Sequence, residues 1–390
     1  MADTLDLARP AGDGDTVGGV PARQVAAPAS TEEAAALLRE AADRDLAVVI
    51  RGGGTTLDWG NPPERLDLIV DTRRLAGVVE HAAGDLITVV RAGTPMADLK
   101  LAGQQLALDV PYPGSTVGGT VATNTSGPRR MLYGTARDLL IGVTVVRPDG
   151  TVTRAGGKVV KNVAGYDLGK LYTGSYGTLG LITECVFRLH PLPAAASVMR
   201  TRVPDATAAG RLVAAILGAQ VVPSALEIDA APGGDVGVAV LVEGSPAGVR
   251  DRAATVARLL GDAAEGQPDW WGQMPWEPGG VGLKVTAALS RVPEVVAVAQ
   301  EVGVPIRGSS GTGVLYAGVP ASADAASVVE RLRAAAVRAG GHAIVLTAPA
   351  HVGARLDMWG PVPGLTLMRR VKEQFDPGRR FAPGRFVGGI

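Results

Sequence analysis

Three groups of small residues carry the chemistry that this sequence declares. Arg51-Gly52-Gly53-Gly54-Thr55-Thr56 closes an apolar run over residues 47–50. Consecutive glycines let successive backbone N–H groups turn toward one concavity, and such a nest binds an anion with no side chain in the way. A plain glycine-rich turn is the competing reading of this string. The second group is longer: Pro113-Gly114-Ser115-Thr116-Val117-Gly118-Gly119-Thr120-Val121-Ala122-Thr123-Asn124-Thr125-Ser126-Gly127. Here hydroxyl side chains alternate with glycine, which offers close backbone approach together with donors to phosphate or sugar-alcohol oxygens. The third group runs through Asn162-Val163-Ala164-Gly165-Tyr166-Asp167-Leu168 and continues as Gly174-Ser175-Tyr176-Gly177-Thr178-Leu179-Gly180-Leu181-Ile182-Thr183-Glu184. Three such clusters in order imply an extended anionic ligand. Two nucleotide motifs fail: Lys158 of Gly156-Gly157-Lys158 is followed by Val159 where a Walker A motif needs a hydroxyl. Neither Gly52-Gly53-Gly54 nor Gly311-Thr312-Gly313 completes a Rossmann fingerprint, because Leu57 and Tyr316 follow them.

The elements that must hold these loops are read from periodicity. Ser30-Thr31-Glu32-Glu33 is a capping box: the Ser30 hydroxyl accepts from the Glu33 N–H and the Glu33 carboxylate reaches back. Leu37, Leu38, Ala41 and Ala42 then give the following helix one apolar face. Alternation at Ile87, Val89 and Arg91 marks a strand, and Thr94-Pro95 supplies an N-cap and a first-turn proline for a helix. Residues 143–147 and 152–154 flank Asp149-Gly150, a hairpin signal because glycine tolerates the positive φ of the tight turn.

Beyond Pro193 alanine and valine replace glycine. Strand, helix, strand, strand, helix is expected over 198–203, 206–217, 225–229, 236–242 and 247–260, and a second such set follows over 281–346. This repeated plan on an antiparallel sheet is that of ferredoxin-like domains. Between the sets, residues 267–280 hold Trp270, Trp271 and Trp276, which either pack over the core or line a pocket.

Composition bounds the function. The 390 residues suffice for two or three domains. Lysine plus arginine and aspartate plus glutamate number 38 each, so the basic excess of a broad nucleic-acid-binding surface is missing. The single Cys185 can form neither an internal disulfide nor a cysteine metal cage, and no metal site is expected. No secretory h-region and no membrane-length apolar run is visible, and a cytoplasmic location is the expectation. Glycine (53) and proline (27) are in excess, from low complexity or from many tight turns.

The sequence resembles the FAD-linked oxidases of the vanillyl-alcohol oxidase and p-cresol methylhydroxylase (PCMH) type. The residues that carry the likeness are 51–56, Pro113 to Asn124, Tyr133-Gly134-Thr135-Ala136-Arg137-Asp138, the 146–150 hairpin and Gly174 to Glu184. Within that family, residues 156–175, with Gly127-Pro128-Arg129-Arg130 before them, are most similar to the FAD-binding E subunit of bacterial glycolate oxidase. The tail, Phe375-Asp376-Pro377 and Pro383-Gly384-Arg385, matches again. The resemblance implies an α+β fold: a two-subdomain PCMH-type FAD-binding domain over 28–193, a ferredoxin-like α+β cap or substrate domain over 194–355, and a C-terminal segment, 356–390, returning to the FAD domain. Residues 1–27 are expected to be a flexible N-terminus.

Carried over residue by residue, the cofactor-binding set is Arg51, Gly52, Gly53, Gly54, Thr55, Thr56, Pro113, Gly114, Ser115, Thr116, Val117, Gly118, Gly119, Ala122, Thr123, Asn124, Asp167, Gly177, Thr178, Gly180 and Ile182. The first two loops would hold the FAD pyrophosphate through backbone N–H groups. Ala122, Thr123 and Asn124 would lie along the ribityl chain and isoalloxazine, and residues 177–182 would flank the adenosine. The first loop lacks the histidine or cysteine of covalent members, so non-covalent FAD is expected. The family's 2-hydroxy acid dehydrogenases carry Gly-Ser-Glu-Gly where Tyr176 stands here, and a C-terminal histidine motif that this chain lacks. No catalytic base is assigned, and Ala382 replaces the family's frequent asparagine. The expectation is therefore an FAD subunit of a glycolate (2-hydroxy acid) oxidase complex, partnered by a second FAD-linked subunit and an iron–sulfur subunit, without a transmembrane segment and peripheral to the membrane through that complex. The alternatives are a self-sufficient dehydrogenase using His342, His351 or a tyrosine as base, and an FAD-free structural subunit.

Overall fold

A computed structural model describes residues 8–159 and 165–390. Lys161 and Asn162-Val163-Ala164 of the third cluster lie outside the described residues, as do residues 1–7. The chain forms two compact units: Met1–Ser126 with Thr135–Pro191 and Pro361–Ile390, and Gly127–Gly134 with Leu192–Gly360.

The first unit contains two larger sheets and two two-stranded ones. Strands β1 (Arg9–Pro10), β2 (Gln24–Ala26), β3 (Val48–Arg51) and β4 (Leu68–Asp71) form one sheet in the order β1-β2-β4-β3, with β2 and β3 both parallel to β4. Helix α1 (Thr31–Asp43) crosses from β2 to β3 and buries Ala34, Leu37, Leu38 and Ala41 against the sheet. Its cap is as the sequence indicates, except that the Glu33 carboxylate accepts from the Ala29 amide, one residue further back (2.8 Å). The second sheet is antiparallel: β5 (Val78–Ala82), β6 (Ile87–Arg91), β7 (Leu140–Val146), β8 (Val152–Gly156) and β9 (Leu181–Arg188) in the order β8-β7-β9-β6-β5. β7 and β8 form the hairpin around Gly150, whose φ is +78°.

Three expectations change here. The N-terminal stretch is not a free tail from Ala8 onward, because β2 pairs with β4 and Asp15 is buried between Arg9 and Arg51. Thr94-Pro95 starts only a 3-10 turn, Met96–Asp98. The Thr94 hydroxyl instead donates to Arg91 O (2.7 Å) and accepts from the Gly77 N–H (2.9 Å). The C-terminal segment joins the first unit at Pro361, five residues later than the sequence suggests, because the Val345 N–H donates to Met358 O and keeps that stretch with the second unit.

The C-terminal segment adds an edge to the first sheet: Val48 N–H donates to Arg380 O and Ala382 N–H to Val48 O, both at 2.8 Å. Helix α2 (Val117–Thr123) carries the second glycine group. The tail is locked by the buried Lys372, whose ammonium donates to Thr178 O, Asp376 Oδ2 and Phe381 O at 2.7–2.8 Å.

The second unit is built on one eight-stranded antiparallel sheet. Its elements are β10 (Ala195–Val203), α3 (Ala206–Gly218), β11 (Ala225–Ala230), β12 (Val236–Gly244), α4 (Pro246–Leu260) and β13 (Ala264–Glu265), then β14 (Val281–Thr286), α5 (Val292–Glu301), β15 (Ile306–Ser309), β16 (Val314–Val319), α6 (Ala325–Arg338) and β17 (Ala343–Thr347). The order β13-β10-β12-β11-β15-β16-β14-β17 is two copies of one four-strand pattern joined edge to edge through β11 and β15. Alternate residues such as Val236, Val238, Val240 and Val242 enter the core with the helices. Trp276 packs flush on Gly282, where a Cβ would come within 2.5 Å of its ring, so it covers the sheet. Residues 127–134 belong with this unit rather than with the first: Arg130 donates to Tyr316 Oη (3.1 Å) and Tyr133 to Glu243 (3.1 Å).

Candidate functional site

The first unit holds a cleft where the loop after β3 meets the loop before α2. Gly52, Gly53, Gly54, Thr55 and Thr56 line it from one side, and Thr116, Gly118, Gly119, Ala122 and Thr123 from the other. Gly177, Gly180 and Ile182 complete the wall. The two loops touch so closely that a Cβ on Gly53 would sit 1.8 Å from Gly114 O, and one on Gly52 2.2 Å from Thr116 Oγ1. Thr55 and Ser115 hydroxyls bond across the seam at 3.1 Å.

The loops differ in what they can donate. Among the described residues, the N–H groups of Gly53, Gly54, Thr55 and Thr56 donate to no protein acceptor. In the second loop, Val117 N–H donates to Thr94 O (2.9 Å), Gly118 N–H to Ala92 O (2.7 Å) and Gly119 N–H to Thr116 Oγ1 (3.4 Å). The undonated amides are thus those of the first loop. Gly118 serves close packing, since a Cβ there would lie 2.8 Å from the Ala92 methyl.

Several residues of the expected set face elsewhere. Arg51 leaves the cleft and bridges Asp15 Oδ1 (2.8 Å) and Asp71 Oδ2 (3.0 Å). Hydrogen bonds from Arg9, the Gly12 amide and Arg51 hold the Asp15 carboxyl well below the ordinary range. Burial opposes ionisation of Asp71, but Arg73 and Arg51 overcome it and its pKa is also lowered. Thr178 is buried, its hydroxyl on Ser175 O and its carbonyl on Lys372. Asn124 caps α2 at φ +52° and accepts from the Arg137 N–H (3.1 Å). Asp167 is exposed and pairs with Lys170 (3.5 Å). Pro113, Gly114, Ser115 and Val117 shape the second loop without lining the cleft.

Seven cleft residues fall outside the expected set, Val49, Ile50, Leu57, Thr72, Ala92, Tyr176 and Arg385, and the last two carry the largest side chains. Tyr176, at φ +56°, stands against Phe386 (ring centroids 5.3 Å apart) and Trp59 (6.4 Å). Arg385, 4% exposed, donates through Nη2 to Leu57 O (3.0 Å) and Trp59 O (2.8 Å), while Nη1 has no partner among the described residues. Burial lowers its pKa to about 10, against the charges of Tyr176 and Asp58. The Pro383-Gly384-Arg385 match was the signal available for it in the sequence.

The second unit has a cluster of its own. Arg130 bonds Tyr316, and Lys284 faces Tyr316 across the β14–β16 ladder. Burial alone would raise the Tyr316 pKa, but Arg130 and Lys284 outweigh it and lower it. The ionic partner Arg129 reaches Glu243 at 3.5 Å, so neither Arg129 nor Arg130 is a solvated surface pair. His342 meets Thr286 through its backbone only, and His351 is exposed. Among the described residues no cluster of histidine, cysteine and carboxylates could hold a metal ion.

An undonated amide nest, small-residue walls and an orphaned buried guanidinium suit a ligand that is long, slender and anionic in its middle, which is the shape and charge of a flavin dinucleotide. The FAD binding domain family matches residues 22–156. Glycolate oxidase subunit GlcD of Bacillus subtilis (strain 168) is 34% identical over 208 residues, 52% of this chain and 44% of that protein. Glycolate oxidase subunit GlcE of Escherichia coli (strain K12) is 38% identical over 162 residues, 40% of this chain and 46% of that one. D-lactate dehydrogenase of Archaeoglobus fulgidus is 36% identical over 171 residues, 43% and 38% of the two chains. The aligned stretches thus span less than half of each relative. Among solved structures, a xylooligosaccharide oxidase from Myceliophthora thermophila C1 superposes with TM-score 0.68 at 17% identity over 95% of both chains. A chitooligosaccharide oxidase does so with 0.66 at 16%, over 97% of this chain and 94% of that one. At such identities the likeness is one of fold. Residues 22–156 match an FAD binding domain, and FAD is the cofactor that this match and the FAD-linked relatives support.

Proposed function

We propose that this chain is the FAD-binding subunit of a glycolate or related 2-hydroxy acid oxidase complex, working in the cytoplasm beside a second FAD-linked subunit and an iron–sulfur subunit. The amide nest at residues 53–56, closed by Gly53 against Gly114, is the observation that carries the flavin part of this reading. The glycolate oxidase relatives, GlcD and GlcE, support the substrate class and the complex. FAD, when held here, would supply redox chemistry that couples two-electron oxidation of a 2-hydroxy acid to one-electron transfer toward an iron–sulfur partner. The chain's own part is to hold the cofactor: backbone amides and Arg385 at the anion, Ala122 and Thr123 along the slender middle, and Tyr176 at the wall. No histidine or cysteine lines the cleft among the described residues, in keeping with dissociable FAD. No helix of the described residues is long and apolar enough to cross a membrane, so membrane association would come through partners.

A second reading, a self-sufficient 2-hydroxy acid dehydrogenase, is favoured by the Arg130–Tyr316–Lys284 cluster. A phenol held below its usual pKa by two cations is a candidate proton acceptor, and the cations suit a carboxylate. Anaerobic mixing with glycolate or D-lactate decides between the readings. The subunit hypothesis expects the isolated yellow chain to keep its flavin absorbance and to bleach only when co-expressed partners are present. Bleaching by the isolated chain overturns it, and a colourless chain that takes up no FAD overturns both.

A further inference from the structure

Arg385 has chemistry that the fold does not use up. Its Nη2 is spent on the carbonyls of Leu57 and Trp59, which are neutral acceptors. Nη1 is buried and meets no acceptor among the described residues, and Arg385 is one of the residues that line the cleft. An arginine cannot discharge to escape such a position, and a buried donor left unmade costs free energy unless something completes it. The placement is not accidental to the loop beside it. Leu57 and Trp59 lie in the turn directly after residues 53–56, so the bonds from Nη2 hold the guanidinium against the same loop that presents undonated amides. Amides and guanidinium therefore converge on one region of the cleft, and both ask for an anionic oxygen.

We propose that Arg385 is an anchor for the pyrophosphate of bound FAD, with Nη1 and the amides of residues 53–56 forming one composite anion site. This rests on the flavin reading of the cleft. A diphosphate suits a planar fork better than a neutral ring edge does, because each N–H···O⁻ bond is charge-assisted. Burial of the guanidinium, which lowers its pKa to about 10, is then offset by the ligand's charge. The site would also tie cofactor binding to the tail, since Arg385 sits 328 residues from Leu57 and is delivered by the segment that Lys372 locks in place.

The test uses the full chain stripped of flavin, titrated with FAD by fluorescence quenching and with ADP by competition, for the wild type, Arg385→Met and Arg385→Lys. Loss of the charged bond should weaken FAD and ADP alike by about 10- to 100-fold in Arg385→Met, with Arg385→Lys in between because it keeps the charge without the fork. If Arg385→Met does not fold, Arg385→Lys must still weaken both ligands. FAD weakened with ADP unchanged would place Arg385 at the ring system and overturn the proposal. Both affinities intact, with only a lower apoprotein melting temperature, would make Arg385 purely structural and also overturn it. Wild-type protein that binds neither ligand sinks the flavin reading and this proposal together, whereas tight wild-type binding untouched by either variant sinks this proposal alone.

Discussion

The two units use glycine under the same steric rule and to different ends. A Cβ on Gly53 in the first unit would lie 1.8 Å from Gly114 O, and one on Gly341 in the second would lie 2.0 Å from Thr286 O. Neither position tolerates a side chain, yet the amides differ. Gly341 N–H donates to Ala336 O at 2.8 Å, closing a helix end, while Gly53 N–H donates to nothing among the described residues. The missing side chain marks close backbone approach in both places; the undonated amide marks a ligand in one. This separates the glycine excess into parts. The second unit's share includes strand ends and turns, and the first unit's share includes a loop whose amides donate to no protein acceptor among the described residues.

The sharpest way to break that comparison is to fill both positions. Gly53→Ala forces the two cleft loops apart and should weaken FAD binding by more than about 10-fold, given the 1–3 kcal/mol typical of overpacking. Gly341→Ala should leave FAD binding unchanged and instead raise hydrogen exchange across β14 and the end of α6. Flavin titration and peptide-resolved exchange on both variants check this. A Gly53→Ala protein with wild-type FAD affinity would remove the cleft assignment.

What the sequence makes legible follows the range of the interactions. Helices α3, α5 and α6 and the strands between them are readable because valine and alanine periodicity is local. The cleft glycines are readable because each loop is one continuous string. The direction of Arg51 is not legible, because it depends on Asp71 and Asp15, 20 and 36 residues away, which bond its guanidinium. Residues 127–134 look continuous with the flavin motifs, but their packing partners, Glu243 and Tyr316, come from a different unit. Thr94 looks like a helix cap until its hydroxyl is found bonded to Arg91 and Gly77. Arg385 stands in a matched motif, and only its orphaned nitrogen shows a reason for it to be there.

The units should also part company in acid. In the first, Asp15 and Asp71 are each held below the ordinary carboxylate range by arginines. Their stabilising contribution is complete above the unfolded value of about 3.9 and is lost as pH falls through the lowered folded values. In the second, burial outweighs Arg307 at 2.8 Å and raises the Asp229 pKa. That carboxyl favours the folded state at low pH and loses its contribution as pH rises through the raised value. Hydrogen exchange measured from pH 5 down to pH 2 should therefore show β3 and β4 losing protection before β11. Asp71→Asn should flatten the first response and Asp229→Asn the second. Equal loss of protection in both units would show that neither network sets the acid response.

The smallest expected effect concerns backbone strain, which the two units place differently. Val222 sits in a surface turn of the second unit at φ +44°, a conformation that β-branched residues seldom adopt, and its side chain is 59% exposed. Its backbone carbonyl accepts from Arg252 Nη1 (3.4 Å), and it lies in the second unit, outside the cleft. Val222→Asn keeps an ordinary backbone entropy and tolerates that region, so it should stabilise the second unit by roughly 0.5–1 kcal/mol, read as a higher denaturant midpoint. Tyr176 in the first unit is held at φ +56°, but between Trp59 and Phe386 and at the cleft wall. Relieving it with Tyr176→Asn removes a packed ring, so no net stabilisation should follow and FAD affinity should fall. Strain of similar angle would then be idle in one unit and tied to the cofactor wall in the other. If Tyr176→Asn stabilises the protein as Val222→Asn does and leaves FAD affinity unchanged, the tyrosine has no part in the cleft.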